Sequence, residues 1–315
     1  MNTVTADAVD LAEENRRLRE QLEQKTRVAA KALAAQQRRV LEMEEYAADL
    51  AAANERVSQA NASLAAALRV LEEKDRRLSE DLAQARSFQQ RILPRPPAGG
   101  RLGFAIAYRP AEEVGGDLYS VSALPGGGWR VFIADAIGHG VQAALRTMIL
   151  KSEYDAVRDA ATPREVLARL NRQIVAVYPG LDLHCTAACI DVAPEAYGAR
   201  VTYATAAHPP LVHVSAGDAL QLYQPGPFLG VVAEAEFPSM TLAARPGDRL
   251  FLFSDGLVEE WAGDEEFGVD RVLRALVAAG DLDATVRGAV DALEAFVGAQ
   301  PVTDDVTLLG VEVTR

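Results

Sequence analysis

No proline or glycine occurs in this chain before Pro94, and that omission constrains the fold more than any other feature of the sequence. These two residues most readily break a helix. The segment that avoids them is rich in Ala, Leu, Glu, Arg and Gln, the composition of a long helix. Stepping alternately three and four residues from Leu33 gives Leu33, Gln36, Val40, Met43, Ala47, Leu50, Asn54, Val57, Asn61, Leu64, Leu68, Leu71, Asp75, Leu78, Leu82, Ala85, Gln89 and Ile92. Thirteen of these 18 positions are apolar. An amphipathic helix on a globular surface drifts off a strict 3.5-residue period, whereas a coiled coil keeps it. Asn54 and Asn61 fall at a positions, where asparagine favours a parallel, in-register pair because each copy meets itself. The expectation is a homodimer through residues 33–92. A helix packed back on its own chain and a charged linker without a partner are the alternatives. The first turns (Leu11, Asn15, Leu18, Leu22) follow a frame shifted by one residue, which predicts a hinge or stutter between Lys25 and Leu33.

The run PRPPAGG at 94–100 cannot continue a helix and reads as a linker. It separates a coiled-coil stalk for dimerisation and regulation, residues 1–93, from a second segment, residues 94–315. The net charge is −13, which argues against a general nucleic-acid binder. Residues 1–93 carry a balance of −1 and residues 94–315 a balance of −12, so the acidity belongs to the second segment and invites a cation there. No apolar run reaches the roughly 18 to 20 residues of a membrane helix, and the opening MNTVTADAVD has neither a basic nor a long apolar stretch. Two cysteines, Cys185 and Cys189, cannot make a disulfide framework and suit a reducing compartment. The expected location is the cytoplasm, with no membrane and no nucleic-acid partner.

From Phe104 onward, short β-rich runs alternate with helical ones. Strands are predicted at 104–109, 117–123, 129–134, 184–192, 199–205, 210–214, 219–223, 249–253 and 306–312, and helices at 139–158, 163–177, 270–279 and 283–298. Thr162, Pro163 and Glu165 form a helix start signal. Hairpin-spaced strands with paired helices predict an α+β layered fold.

Four acidic spots lie where a predicted strand meets a turn. Asp117 follows Gly115 and Gly116, Asp135 closes VFIAD, Asp255 closes LFLFSD, and Asp304 and Asp305 precede VTLLGVEV. Strand ends converge at one edge of a sheet. Carboxylates gathered there repel by about 1 to 4 kcal/mol per pair at 4 Å, so the cluster needs protons or cations. All-oxygen ligation suits Mg²⁺ or Mn²⁺. His184, Cys185 and Cys189 lie on a strand without zinc spacing and read as core, and His208 and His213 as turn or hydrogen-bonding residues.

GGD at 115–117, ADAIGHG at 134–140, AHPP at 207–210, FSDG at 253–256 with Glu259, and DDVT at 304–307 occur in the order found in SpoIIE/RsbU-type serine phosphatases. These form the bacterial branch of the metal-dependent protein phosphatase 2C superfamily. QQRILPRPP at 89–97 resembles that family's entry to the catalytic domain. The resemblance covers about residues 86–315. It implies a central β-sandwich flanked by helices on both faces, a phosphoserine or phosphothreonine substrate, and two Mn²⁺ or Mg²⁺ ions per site. Position by position, it implies that Asp135 bridges the metals and that the Ala136 carbonyl, Asp117, Asp255 and Asp304 complete the ligands, with Asp304 favoured over Asp305. His139 is the candidate general acid, a turn role being the alternative. The sequence departs from the family pattern at Ser120, at Ala136–Ile137 and at Ala207, and Glu113 stands where the eukaryotic branch has a phosphate-binding arginine. The resemblance further implies a phosphorylated anti-anti-sigma (STAS) protein as substrate, in a partner-switching circuit, and an upstream activator acting on the coiled coil. A catalytically silent scaffold that binds a phosphoprotein is the alternative function.

Overall fold

An uninterrupted helix, α1, runs from Val4 to Ile92 in the computed structural model, which describes residues 4–97, 100–125, 127–138 and 140–314. It passes through residues 25–33 without a break. The frame shift there changes which face is apolar and makes no hinge, because nothing in that stretch interrupts the backbone ladder. Seam residues Leu33, Val40, Leu50, Val57, Leu64, Leu68 and Leu78 are all exposed on the single chain. The chain divides into two units, Met1–Leu78 and Ser79–Arg315. The last turns of α1 therefore belong to the second unit. Among the described residues no helix is long and apolar enough to cross a membrane.

The second unit is built on two five-stranded antiparallel sheets. One joins β2 (Asp117–Ala123), β3 (Trp129–Ala136), β4 (Cys185–Pro194), β5 (Ala199–Ala206) and β8 (Ser239–Ala244) in that order. The other runs β1 (Leu102–Arg109), β12 (Val306–Val313), β9 (Arg249–Phe253), β6 (Leu211–Ser215) and β7 (Asp218–Leu222). A two-residue hairpin, β10 (Trp261–Ala262) with β11 (Glu265–Glu266), stands apart. Helices α2 (Gly140–Val157) and α3 (Pro163–Val177) cover the first sheet, while α5 (Leu282–Val297), backed by α4 (Gly268–Leu276), covers the second. This is the α+β sandwich with helices on both faces that the resemblance implies.

Period-two alternation sorts the two cores. On β9, Leu250 and Leu252 enter the sandwich core while Phe251 and Phe253 turn to α4 and α5. On β12, Leu309, Val311 and Val313 face the sandwich, and Val306 and Leu308 the helices. Gly310 has no side chain because a Cβ there would lie 2.9 Å from Leu282 Cδ1. Phe104–Trp129 and Tyr108–Tyr119 ring contacts close the interior between the sheets. The Thr162 cap forms as expected, accepting from the Glu165 amide at 3.3 Å. Strand β8 and the β10–β11 hairpin were not expected. β8 is a mostly exposed edge, SMTLAA, and so carries no continuous apolar run to read.

Candidate active site

Strand order brings the predicted carboxylates to one end of the sandwich. Asp117 opens β2 opposite Asp135 of β3, and Asp135 in turn faces Thr186 of β4. The other sheet supplies Asp255, in a single 3-10 turn after β9, and Asp304 and Asp305 just before β12. Asp135, Asp255, Asp304 and Glu259 line a cleft of about 440 Å³ with Thr186, Ile137 and Phe228.

The GGD turn explains its own glycines. A Cβ on Gly115 would lie 2.7 Å from Asp305 Oδ2, and one on Gly116 would lie 2.9 Å from the Ala136 carbonyl oxygen. The turn is held against both partners, and any side chain would push them apart. The Gly116 amide donates to Asp305 Oδ2 and the Ala111 amide donates to Asp305 Oδ1 at 2.8 Å. Both oxygens of Asp305 are thus occupied in bracing this turn. Asp304 accepts from the Asp305 amide at 2.7 Å and lines the cleft. Asp117 is fully buried beneath it. Its Oδ2 accepts from the Thr307 hydroxyl at 2.5 Å, and its Oδ1 has no partner among the described residues.

The electrostatics follow from crowding and burial. Burial first, then Asp255, Asp304 and Asp305, push the Asp135 carboxyl up to about 8. Asp304 is pushed up to about 6, again chiefly by burial, with Asp255, Asp305 and Glu260 adding to it. Asp117 is held well above the usual carboxylate range by burial and by Asp135. Asp255 and Glu259 are also raised by burial.

Whether this set suits a divalent ion can be tested on the residues themselves. Among the described residues no group of three or more His, Cys, Asp or Glu side chains is already placed to hold a metal ion, while neighbouring carboxylates help to raise Asp135 and Asp304. The donors are nevertheless all oxygen, as Mg²⁺ and Mn²⁺ prefer. Among the described residues Asp117 Oδ1 and Asp255 Oδ1 are buried without a hydrogen-bond donor, a costly state that a cation relieves. The chemistry fits.

The remaining predicted residues separate. His139 lies outside the described residues. Ser120 is buried on the alternate face of β2 from Asp117, beside Tyr154 of α2, so it points away from the carboxylates. Glu113 pairs with Arg86 at 3.1 Å. Cys185 and Cys189 are free, buried in the core, and raised by that burial. His213 bonds Asp248 at 2.9 Å. Sequence reasoning missed Glu260, which is 2% exposed. Its Oε1 accepts from the Thr303 amide at 2.6 Å, the Thr303 hydroxyl at 3.1 Å and the Asp304 amide at 3.0 Å. A second acidic residue after Glu259 was the only signal, and alone it marks a solvated turn.

The family model for Stage II sporulation protein E (SpoIIE) matches residues 125–314. The phosphoserine phosphatase RsbP of Bacillus subtilis is 28% identical over 189 residues, 58% of this chain. That match spans only 46% of RsbP's length. Among solved structures, the SiaA-PP2C domain of Pseudomonas aeruginosa superposes with a TM-score of 0.67 at 22% identity, covering 76% of this chain and 98% of that one. The RsbU and RsbW domains of a Mycobacterium tuberculosis protein give a TM-score of 0.59 at 26% identity, covering 70% and 61%.

Proposed function

This chain belongs to the SpoIIE family, and from that premise we propose that its globular unit is a metal-dependent protein serine/threonine phosphatase. The observation that carries the reading is the cleft in which Asp135, Asp255 and Asp304 meet from two different sheets. Asp117, Asp135, Asp255, Asp304 and the Ala136 carbonyl would hold two Mn²⁺ or Mg²⁺ ions. Such ions supply charge to the phosphoryl group and acidify water.

The protein's own residues do the rest. Asp305 and Thr307 fix the GGD turn and Asp117. Glu260 fixes the Asp304 loop. His139, by resemblance, would give the proton that the departing seryl oxygen requires.

The substrate we assign is a phosphorylated anti-anti-sigma (STAS) protein. RsbP is named a phosphoserine phosphatase, and the M. tuberculosis neighbour joins an RsbU to an RsbW domain. We also assign residues 1–93 to a dimerising, regulatory stalk. Its exposed, 3.5-periodic seam supports a parallel dimer. Its last turns reach the site's frame, for the buried Gln89 amide both donates to the Gly115 carbonyl at 2.6 Å and accepts from the Gly115 amide at 3.1 Å.

The deciding experiment is hydrolysis of p-nitrophenyl phosphate and of a phosphoserine STAS protein with added Mn²⁺, wild type beside Asp135→Ala. Metal-dependent turnover that disappears in the variant supports the enzyme. Binding of the phosphoprotein without turnover favours the silent scaffold.

A further inference from the structure

Apolar side chains stand in water on one rim of the acidic cleft. Phe228, Val231 and Val232, on the connection between β7 and β8, are 43%, 53% and 54% exposed. Ile137, on the turn after β3, is exposed as well. Ile137 and Phe228 line the cleft itself, and Val231 and Val232 continue the apolar run from Phe228 along the loop. A single exposed apolar residue is ordinary on a protein surface. A cluster of them beside a cleft marks a place where something binds.

The backbone that carries these side chains is pinned from beneath. Asn171 of α3 is fully buried. Its Nδ2 donates to the Val232 carbonyl at 2.7 Å and to the Ala233 carbonyl at 3.1 Å, and its Oδ1 accepts from the Gly230 amide at 2.9 Å. Leu229 is buried and exchanges both backbone hydrogen bonds with Cys185 of β4, at 3.0 and 3.3 Å. A Cβ on Gly230 would collide with the Leu183 carbonyl, so the loop lies tight against the chain entering β4. The Thr205 hydroxyl holds the Gln224 carbonyl at 2.6 Å at one end of the loop, and buried Phe237 closes the other. Buried polar groups thus fix the loop while three apolar side chains face solvent. A surface held ready in this way spares a partner the entropy of ordering it.

We propose that Ile137, Phe228, Val231 and Val232 form the docking surface for the body of a folded phosphoprotein substrate whose phosphoserine enters the cleft. Continuity with the cleft selects this occupant. A phosphoryl group among Asp135, Asp255 and Asp304 brings whatever it is attached to past Phe228. A small ester is contained in the cleft of about 440 Å³ and leaves Val231 and Val232 in water, whereas a protein covers them. Charge adds a second requirement. Glu234 and Glu236 follow the two valines and are exposed, on a unit that is already acidic. The partner therefore sets an apolar side chain against Val231 and Val232 and a basic one against Glu234 and Glu236. The inference rests on the phosphatase reading and makes its substrate a folded protein in preference to a small phosphoester.

The test compares two double variants of the full chain with wild type, Val231→Ser with Val232→Ser and Glu234→Lys with Glu236→Lys. Each is assayed at saturating Mn²⁺ on the phosphoserine STAS protein and on p-nitrophenyl phosphate, with thermal midpoints and sedimentation alongside. For the valine variant, kcat/KM on the phosphoprotein should fall about tenfold, as for loss of an apolar contact. Its kinetics on p-nitrophenyl phosphate should stay within about twofold of wild type, with the midpoint and the sedimenting species unchanged. The glutamate variant should lose about tenfold on the phosphoprotein at low salt and less at high salt. Wild-type kcat/KM on the phosphoprotein in either variant, or an equal loss on both substrates, overturns the proposal. A smaller sedimenting species in the valine variant also overturns it, because the surface then joins two copies of this chain. Absence of turnover in wild type overturns the phosphatase reading alone. Calorimetric titration of the phosphoprotein then decides the docking surface, which stands if the valine variant binds about tenfold more weakly than wild type and falls if both bind alike or neither binds.

Discussion

Replacing Asp135 by Asn takes one charge out of a site where burial and neighbouring carboxylates already oppose ionisation. In metal-free protein the variant should therefore be the more stable one. The Asp135 pKa rises from 3.8 to about 8 on folding. A raised carboxyl favours the fold while it stays protonated, below the unfolded value. It costs stability progressively as pH climbs from 3.8 toward 8. At pH 7 that interval amounts to about 4 kcal/mol, at about 1.4 kcal/mol per pH unit. Solvent at the cleft mouth and the poorer fit of an amide reduce the net gain to about 2 kcal/mol. For a unit of this size, this corresponds to a thermal midpoint roughly 4 to 8 °C higher. The assay is urea and thermal unfolding of both proteins in a chelator at pH 5, 6, 7 and 8. The gap should be small at pH 5, grow toward pH 8, and shrink or reverse when Mn²⁺ is added, since only the wild type retains the full set of proposed ligands. A gap that does not change with pH, or a wild type more stable than Asp135→Asn in chelator at pH 8, would refute the reasoning.

Other perturbations probe other parts of the chain. Arg130 is fully buried, pairs with both Asp191 oxygens at 2.6 Å, and also donates to the Arg158 and Ala160 carbonyls. Arg130→Ala should cost about 3 to 5 kcal/mol in chemical denaturation by stranding that carboxylate and those carbonyls. Glu260→Ala frees the Thr303 and Asp304 amides and should weaken Mn²⁺ binding roughly tenfold in a titration, whereas Glu260→Gln, which keeps the accepting oxygen, should stay close to wild type. Leu64→Glu with Leu68→Glu puts like charges into the stalk seam and should shift sedimentation from dimer to monomer.

Much of this molecule was legible from local pattern alone. The helix up to Ile92 follows from the absence of Pro and Gly and from a sustained 3.5-residue period, both readable without any partner. Strands such as β3 and β9 announced themselves as short apolar runs ending in an acid. Edge strand β8 did not, because its stability comes from pairing with β5 and not from burial of its own side chains. Of the hinge or stutter expected at residues 25–33 the hinge did not form, for a related reason: a frame shift in an apolar stripe alters the face a partner would meet, yet leaves the helix's own hydrogen bonds intact.

The sequence by itself marked the long N-terminal helix, the layered α+β class and the strand-end positions of Asp117, Asp135, Asp255 and the 304–305 pair, because composition, period and strand ends are properties of neighbouring residues; the sandwich came from the family resemblance. Tertiary structure alone decided what each side chain does once gathered. Asp304 and Asp305 are adjacent in sequence, yet one lines the cleft while the other spends both oxygens on the amides of Ala111 and Gly116. Ser120 lies three residues after Asp117 and faces the other side of the sheet. Glu260 gains its role from partners 43 and 44 residues away. Such pairings depend on register and strand parity, which change by whole faces with a one-residue slip, and only the packed sheets set them.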